Sequence, residues 1–243
     1  VSSSAASDVY KRQEKYRGMS REKARKQIVS DLKDANHLIK EEDYLHKVGY
    51  SERGNVPIEY YLSEQWFLKM EDLAKPASKA VKNNEINFYP NHWVKTYNHW
   101  MDNIQDWCIS RQLYWGHQIP VWYKKDADRS NQDNWFVSTT PPTDLENWEQ
   151  DNDVLDTWFS SWLWPFAVHG WPDIKTTKYF PTNALVTGPD IIFFWVARMI
   201  MSGYEFMGDL PFKDVYFTSI LRDDKGRKLS KSLGNSPDPI TLF

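Results

Sequence analysis

The chain has 243 residues, of which 41% are hydrophobic and 26% charged, with a formal net charge of −3. This length is enough for one large domain or two small ones with a sizeable core. The slightly negative charge excludes a global basic field, so we expect no DNA partner and only local contacts to any RNA.

Cysteine content and hydropathy exclude further classes. The single cysteine, Cys108, rules out an internal disulfide and a CxxC metal site, and it suits a reducing, cytoplasmic location. The longest apolar run, residues 191–201, is interrupted by Arg198 and is too short to cross a bilayer. We therefore expect no membrane partner.

The N-terminal quarter begins with residues 1–13, which are small, polar and without pattern, and we interpret them as a non-native or disordered leader outside the fold. Ser20 is a suitable N-cap for a helix, and Asn36 is placed to end that helix in a left-handed conformation. Residues 44–61 are predicted to form short strands broken by Gly and Pro, and residues 64–70 a further strand. The apolar face of the predicted helix consists of Ala24, Ile28, Leu32 and Ala35.

The middle of the chain is predicted to begin with a helix over residues 71–82, with a kink at Pro76. Aromatic and apolar residues then recur at helical spacing, and stripes of this kind are core more often than binding surface. Residues 124–134 are polar and loop-like, within a small polar insertion near residues 124–152. The members of the stripe are Trp93, Tyr97, Trp100, Ile104 and Trp107.

The last third alternates between strand and helix patterns. We predict a strand over residues 183–187, a tight turn at Gly188, a helix over residues 190–207 and a strand over residues 214–221. This order is typical of a βαβ unit in a parallel sheet, and therefore of an α/β fold. Ligands of such sheets bind at the carboxyl ends of the strands, where both the turn and the segment after residue 221 lie.

That segment is the lysine loop, residues 226–235, with the sequence GRKLSKSLGN. Lys228 and Lys231 stand three positions apart between small residues. Two compact cations on a mobile loop can close on a polyphosphate and neutralise the charge that develops during transfer. A solvated surface loop is the alternative that composition alone favours.

Several motifs resemble one family. The lysine loop is similar to the KMSKS signature of class I aminoacyl-tRNA synthetases, with Leu229 in place of Met. Residues 106–117 (DWCISRQLYWGH), 153–161 (DVLDTWFSS) and 187–195 (TGPDIIFFW) resemble, in the same order, motifs of the valyl-tRNA synthetases. The chain is therefore identified as an internal fragment of a member of this family.

The resemblance implies the organisation of the chain. Residues 14–63 would be the C-terminal end of the inserted editing domain. Residues 64–243 would be the second half of the Rossmann-like catalytic domain, with its parallel sheet. The parent enzyme would be a monomer that uses ATP with Mg²⁺ to activate valine and then transfers the valyl group to tRNA(Val).

The resemblance also implies roles for individual residues. Lys228 and Lys231 would be catalytic, and the adenylate would contact these lysines together with Gly188, Asp190, Ser230 and Ser232. Trp158, Ile191 and Trp195 would form the valine pocket, although packing of the sheet against the helix is an alternative. Arg111 and Gln112 would support the tRNA acceptor end or the site wall, with a structural ion pair as the alternative for Arg111.

The chain departs from the family at some positions. Ser51 and Gly54 stand where many relatives carry cysteines, and further cysteines after Tyr123 are also replaced, so we expect no structural zinc. The chain contains no HxGH tetrad, so we expect the isolated chain to be inactive. Two alternatives stay open, namely an isoleucyl-type or other branched-chain synthetase, and a non-catalytic fragment that only binds.

Overall fold

The computed structural model describes residues 14–51, 54–58, 63–173, 178–231, 233–238 and 240. The chain divides into two compact units, residues 1–64 and 65–243. The assignment of residues 14–63 to an editing domain stays a prediction.

Within the part of the chain that the structure describes, the α-helices with defined ends are α1 to α6, joined by shorter 3₁₀ and π segments. The α-helices are Arg21–Asp34, Glu71–Lys82, Trp93–Asp102, Thr157–Ser161, Trp164–Ala167 and Arg198–Ser202. The 3₁₀ turns are Glu14–Tyr16, Gln132–Asn134, Leu145–Asn147 and Pro189–Ile191, and the π segments are Ile192–Ala197 and Gly203–Met207.

The strands of the described residues are β1 to β10. They are Phe67–Leu68, Asn87–Tyr89, Trp107–Cys108, Ser110–Arg111, Val121–Lys124, Trp135–Val137, Trp148–Gln150, Val154–Leu155, Thr182–Thr187 and Phe212–Phe217.

The N-terminal unit contains α1, whose ends agree with the sequence prediction. The Ser20 side chain accepts a hydrogen bond from the backbone N–H of Lys23 and caps the helix. Asn36 has φ of 57°, the left-handed conformation expected after a helix end. Asp31 accepts hydrogen bonds from the Tyr16 hydroxyl and the Gln27 amide. The Asp31 contacts join α1 to the turn before it.

The predicted strands of residues 44–61 were wrong for the part of this segment that the structure describes. Residues 44–51 and 54–58 contain no strand, and only an isolated antiparallel bridge joins Tyr50 to Pro57. Most of these residues are exposed, so no packed surface supports longer pairing. The strand predicted over residues 64–70 is shortened to β1.

A three-stranded parallel sheet lies at the centre of the C-terminal unit, in the order β2-β10-β9. Val215 of β10 pairs with Phe88 of β2 and with Leu185 of β9. The predicted βαβ unit and the α/β fold class are confirmed, because β9 and β10 are parallel neighbours joined by a helical crossover. Strand β10 starts at Phe212 and ends at Phe217, earlier than residues 214–221 predicted.

The main core joins this sheet to α2, to α3 and to the crossover helix, which is the helical segment of residues 189–207 between β9 and β10. Helix α2 presents small buried residues, which let its backbone approach its neighbours closely. The helix continues on both sides of Pro76, whose position is exposed. The buried residues of α2 are Ala74, Ala77, Ala80 and Val81.

The aromatic stripe is a single helix only as far as Asp102, where α3 ends. Trp107 lies in β3, where it pairs with Leu68 of β1, so the helical pattern beyond α3 was misleading. Tyr97 is buried, as predicted for core, whereas Trp100 is 46% exposed. Periodicity alone cannot distinguish one continuous helix from a helix that ends and is followed by a strand whose residues happen to keep the same spacing.

The crossover from β9 to β10 matches the predicted helix in extent but not in winding. It runs through a 3₁₀ turn, a π segment, the α-helix α6 and a second π segment before Gly208 ends it at φ of 69°. Two polar side chains use helix carbonyls as acceptors: Arg198 donates to the Phe194 carbonyl, and Ser202 donates to the Met199 carbonyl. Side-chain bonds of this kind compete with regular helix hydrogen bonds.

The polar insertion near residues 124–152 contains a small antiparallel sheet, in the order β6-β5-β7. Lys124 is the last residue of β5 rather than the first of a loop. Ile119, Val121 and Tyr123 form a separate hydrophobic cluster there.

Replacing Phe88 tests the packing of the parallel sheet. Phe88 is 2% exposed and makes edge-to-face contacts with Tyr97 and Phe217. We expect Phe88→Ala to lower the free energy of unfolding by about 3–5 kcal/mol, measured by urea denaturation. Tyr216→Ala, on the exposed face of β10, is the control and should cost no more than about 1.5 kcal/mol. Equal losses in the two variants would contradict this packing.

Candidate functional site

The carboxyl edge of the parallel sheet brings two predicted site segments together. Phe217 at the end of β10 pairs with Thr187 at the end of β9, so the following residues leave the sheet side by side. A Cβ atom at Gly188 would meet Asp190 Oδ1 at 2.6 Å. The Asp190 carboxylate therefore lies directly over Gly188, and only glycine fits there without a shift.

The lysine loop reaches this edge through Lys228. Its Nζ donates to Asp190 Oδ2 at 2.5 Å, which confirms that the two segments converge. Both side chains are well exposed, at 59% and 40%, so solvent screening limits the pair to about 1 kcal/mol or less. A ligand could displace it easily. Lys231 is exposed, and Ser232 lies outside the described residues.

Asp223 and Asn235, which the sequence analysis did not select, organise the lysine loop. Asp223 Oδ1 accepts from the backbone N–H groups of Lys225 and Arg227, at 3.0 and 2.8 Å. Its Oδ2 accepts from the Arg227 guanidinium and from Asn235 Nδ2, at 2.8 and 2.9 Å. The hydrogen bond from Asn235 and those from Arg227 and Lys225 hold the pKa of Asp223 below its usual range. The signal that could have found these residues is their position on either side of the lysines.

A cavity of about 470 Å³ lies between α3, β3, α4 and the crossover helix. Trp158 lines it and stacks on Phe194, with ring centroids 6.0 Å apart. Trp195 and Ile191 are not among the residues that line this cavity. Trp195 instead donates its indole N–H to the Ser161 carbonyl at 2.9 Å and packs against the core. The three residues predicted for the valine pocket therefore occupy different environments.

The buried carboxylate of Asp156 joins the elements around this cavity. It accepts from the Trp107 indole N–H and the Arg111 guanidinium, both at 2.9 Å, and it caps α4 by accepting from the Trp158 N–H. Arg111 also donates to the Cys108 and Ser110 carbonyls. The structural ion pair considered for Arg111 is thus present, while Gln112 is exposed, and a role of either in tRNA binding stays a prediction.

Arg198 is the second buried charge of this group, and it was not among the residues predicted for the site. Its side chain is 6% exposed, its guanidinium lies 3.6 Å from the centre of the Trp107 ring, and Nη1 is 3.9 Å from Asp156 Oδ2. Its Nε is buried without a hydrogen-bond partner. Burial lowers the pKa of Arg198 to about 10, so it still carries its charge at neutral pH. The charge that interrupts the apolar run of residues 191–201 was the signal.

Among the residues that the structure describes, no group of three or more His, Cys, Asp or Glu side chains could hold a metal ion. No described helix is long and apolar enough to cross a membrane. The expected lack of structural zinc stays a prediction.

The parallel sheet with two converging loops at its carboxyl edge defines an α/β protein of the kind whose ligands bind at that edge. The chain belongs to the class I tRNA synthetases, because the sequence model of the family described as tRNA synthetases class I (I, L, M and V) matches residues 4–243.

Curated relatives narrow this similarity. A protein of Chlorobaculum tepidum named valine–tRNA ligase is 58% identical over 237 residues, and one of Bacillus subtilis (strain 168) with the same name is 54% identical over 232 residues. Each match covers 94% of this chain and 26% of the relative. The resemblance to valyl-tRNA synthetases is confirmed, and the chain spans about a quarter of the length of these relatives.

Solved structures support the fold. Two structures of Mycobacterium tuberculosis methionyl-tRNA synthetase with methionyl-adenylate give TM-scores of 0.53 and 0.55. Both are 20% identical to this chain, covering 80% of it and 33% of the synthetase. At this identity the similarity concerns the fold alone, and it confirms the predicted class I synthetase architecture.

Replacing Asp156 tests the buried charge group. We expect Asp156→Asn to lower the free energy of unfolding by about 3–5 kcal/mol in urea denaturation, because it leaves the buried Arg198 guanidinium without a counter-charge. The control Glu149→Gln, which breaks the exposed pair with Arg129, should cost less than about 1 kcal/mol.

A double variant separates charge from shape. Asp156→Asn with Arg198→Met should be less destabilised than Asp156→Asn alone, because the uncompensated buried charge is then removed. If the losses of stability in the single variants Asp156→Asn and Arg198→Met simply add in the double variant, the carboxylate acts through its hydrogen bonds to Trp107 and α4 rather than through charge.

Proposed function

We propose that this chain is part of the catalytic domain of a valine–tRNA ligase. The observation that carries the proposal is the Lys228–Asp190 contact at the carboxyl edge of the sheet, in which an exposed ammonium lies beside a helix-start carboxylate. Identities of 54–58% to proteins named valine–tRNA ligase support valine as the amino acid.

The reaction is the activation of valine followed by its transfer. A carboxylate oxygen of valine attacks the α-phosphorus of ATP, the bond to the β-phosphate oxygen breaks, and pyrophosphate leaves with the electron pair. The terminal ribose hydroxyl of tRNA(Val) then attacks the carbonyl carbon and displaces AMP. The partners are therefore valine, ATP and tRNA(Val), for a monomeric protein of the cytoplasm.

The chain's own residues supply binding and charge in this scheme. Lys228 and Lys231, with Ser230 and Ser232 beside them, neutralise charge that shifts towards the departing pyrophosphate. Asp190, freed from Lys228, accepts from the ribose hydroxyls, and Gly188 lets the nucleotide approach the backbone. Mg²⁺ bound to ATP would supply further charge neutralisation; the described residues offer no carboxylate cluster for it, and no step is assigned to it.

The proposed amino-acid pocket keeps Trp158, Ile191 and Trp195, although only Trp158 of these three lines the cavity described above. Trp158 is best placed, because it lines the cavity of about 470 Å³ and α4 holds it there through the Asp156 cap. Arg111 shapes the wall through its pair with Asp156. Gln112, exposed next to it, remains available to the acceptor end of tRNA.

An isoleucyl-type synthetase is the second candidate, because the matching family model covers the I, L, M and V enzymes together. A fragment that binds without catalysis is the third. ATP–pyrophosphate exchange in a complete synthetase that contains this segment separates them. Exchange that depends on valine supports the proposal, exchange that depends on isoleucine supports the second candidate, and no exchange with any amino acid supports the third.

The lysine loop is tested in the same complete enzyme. We expect Lys231→Ala to slow exchange by about a hundred- to a thousandfold while leaving valine binding nearly unchanged, because its charge is needed most as pyrophosphate departs. The matched control is Lys225→Ala, an exposed lysine next to the same turn, which should retain nearly full activity. Normal exchange in Lys231→Ala would remove the proposed role.

The pocket is tested by the choice between valine and isoleucine. We expect Trp158→Ala to enlarge the pocket and to shift the ratio of kcat/KM towards isoleucine by about 1–3 kcal/mol, the usual value of a methylene-sized change in an apolar pocket. Trp195→Ala should act in the same direction. Phe206→Ala, on the far part of the crossover helix, is the control. An unchanged ratio in both tryptophan variants, with the fold intact, would return these residues to the core.

A further inference from the structure

The Asn235 side chain spans the middle of the lysine motif. Its Nδ2 donates to the Lys228 carbonyl at 3.2 Å, and its Oδ1 accepts from the Ser230 N–H at 2.8 Å. The amide thus bonds to the backbone on both sides of Leu229. The same Nδ2 also donates to Asp223 Oδ2, a residue twelve positions earlier in the chain.

Asp223 fixes the opposite side of the same segment. Besides its bonds to Arg227, Lys225 and Asn235, its own N–H donates to the Arg227 carbonyl at 2.9 Å. Its side chain is only 9% exposed, although the neighbouring loop residues are mostly exposed. A small polar core therefore exists in a loop that has no hydrophobic core of its own.

The hydrogen bonds of the Asp223 and Asn235 side chains are additional to the backbone bonds that close the turn before the lysines. The turn is already closed by backbone bonds, because the Gly226 N–H donates to the Asp223 carbonyl and the Leu229 N–H donates to the Leu221 carbonyl. The side chains of Asp223 and Asn235 add a link from the turn to the far end of the lysine loop. Their effect is to fix the backbone from Arg227 to Ser230, while the Lys228 and Lys231 side chains stay exposed.

We propose that Asp223 and Asn235 are positioning residues of the lysine loop, which hold its backbone so that Lys228 and Lys231 are aimed at the polyphosphate of ATP. This inference rests on the proposed function for its ligand. A fixed backbone lowers the conformational entropy that the loop must lose when the lysines engage phosphate. Neither side chain touches the reacting atoms; both act through the lysines.

The first test is a single-atom exchange at Asn235 in the 243-residue chain. Asn235→Asp keeps the acceptor for the Ser230 N–H but replaces the donor with an oxygen that faces Asp223 Oδ2. Two carboxylates in this position repel each other, and a shared proton restores the donor when the pH falls. Arg227 donates to the same Asp223 Oδ2 from Nε at 2.8 Å and therefore offsets part of this repulsion, whereas Lys228 pairs with Asp190.

The measurement is hydrogen–deuterium exchange of the Arg227 and Ser230 amides, corrected for intrinsic rates at each pH. At pH 8 we expect exchange in Asn235→Asp at least tenfold faster than in the unchanged chain, and at pH 5 a return towards the unchanged chain. The unchanged chain should be protected at both pH values. The control Asn91→Asp adds the same charge at an exposed site and should change neither amide. Equal protection of Asn235→Asp and the unchanged chain at pH 8 would overturn the proposal.

The second test is kinetic and uses a complete synthetase that contains this segment. We expect Asn235→Asp and Asp223→Asn to lower valine-dependent exchange at least tenfold at pH 8 with an unchanged KM for valine. Asn235→Asp should regain activity relative to the unchanged enzyme as the pH falls. Asp224→Asn, the exposed neighbouring acid, is the control and should be normal.

The two tests separate the inference from the proposed function. If Asn235→Asp loses the protection of its amides from hydrogen–deuterium exchange but keeps normal ATP–pyrophosphate exchange, the positioning role is overturned. If the unchanged complete enzyme shows no valine-dependent exchange, the proposed function fails, and with it the ATP target of the loop, whereas the amide measurement still decides whether Asp223 and Asn235 hold the loop.

Discussion

The parallel pairing of β9 with β10 is the constraint on which the candidate site depends. Phe217 pairs with Thr187, and the Thr218 N–H donates to the Thr187 carbonyl one step further on. The two strands therefore end at the same level of the sheet, and the segments that follow them leave in the same direction. The segment that begins at Gly188 and the segment that leads to Lys228 start as neighbours, and a single side chain is long enough to join them. Backbone hydrogen bonds, rather than a chance match of loop shapes, bring the carboxylate and the lysine together.

Buried charge holds the other wall of the site. An unpaired buried guanidinium costs several kcal/mol, and here the Trp107 ring and the Asp156 carboxylate offset that cost for Arg198. The same carboxylate caps α4 and so sets the position of Trp158 two residues later. Charge compensation and pocket shape are therefore coupled through one residue. A change that disturbs the ion pairs also moves the cavity wall.

Local signals in the sequence predicted the elements that depend on local chemistry. The Ser20 cap, the left-handed Asn36 and the βαβ order of the last third all follow from neighbouring residues, and each is present. The lysine loop and the α/β fold class follow from the residues themselves, and the family resemblance adds the class I synthetase architecture. The sequence pattern could not predict contacts between distant residues. One example is the pairing of Trp107 with Leu68, which puts the last residue of the aromatic stripe in a strand instead of a helix. Within the segment 44–61, the described residues 44–51 and 54–58 lack the expected strands for the same reason, because strand patterns need a partner surface that periodicity does not reveal.

In the lysine loop, the backbone is firmly held whereas the Lys228 side chain is held only weakly. Asp223 and Asn235 hold the loop backbone through short hydrogen bonds around a carboxylate that is 9% exposed, whereas the Lys228–Asp190 pair is exposed and weak. A strongly held Lys228 would have to lose that stabilisation before it could meet a phosphate, and a loosely held backbone would have to lose entropy instead. In the proposed function this arrangement avoids both costs, because the backbone is ordered before ATP binds and the exposed pair costs little to break. In the same proposal, the departure of Lys228 would leave the Asp190 carboxylate beside Gly188 as a free acceptor at the edge of the sheet.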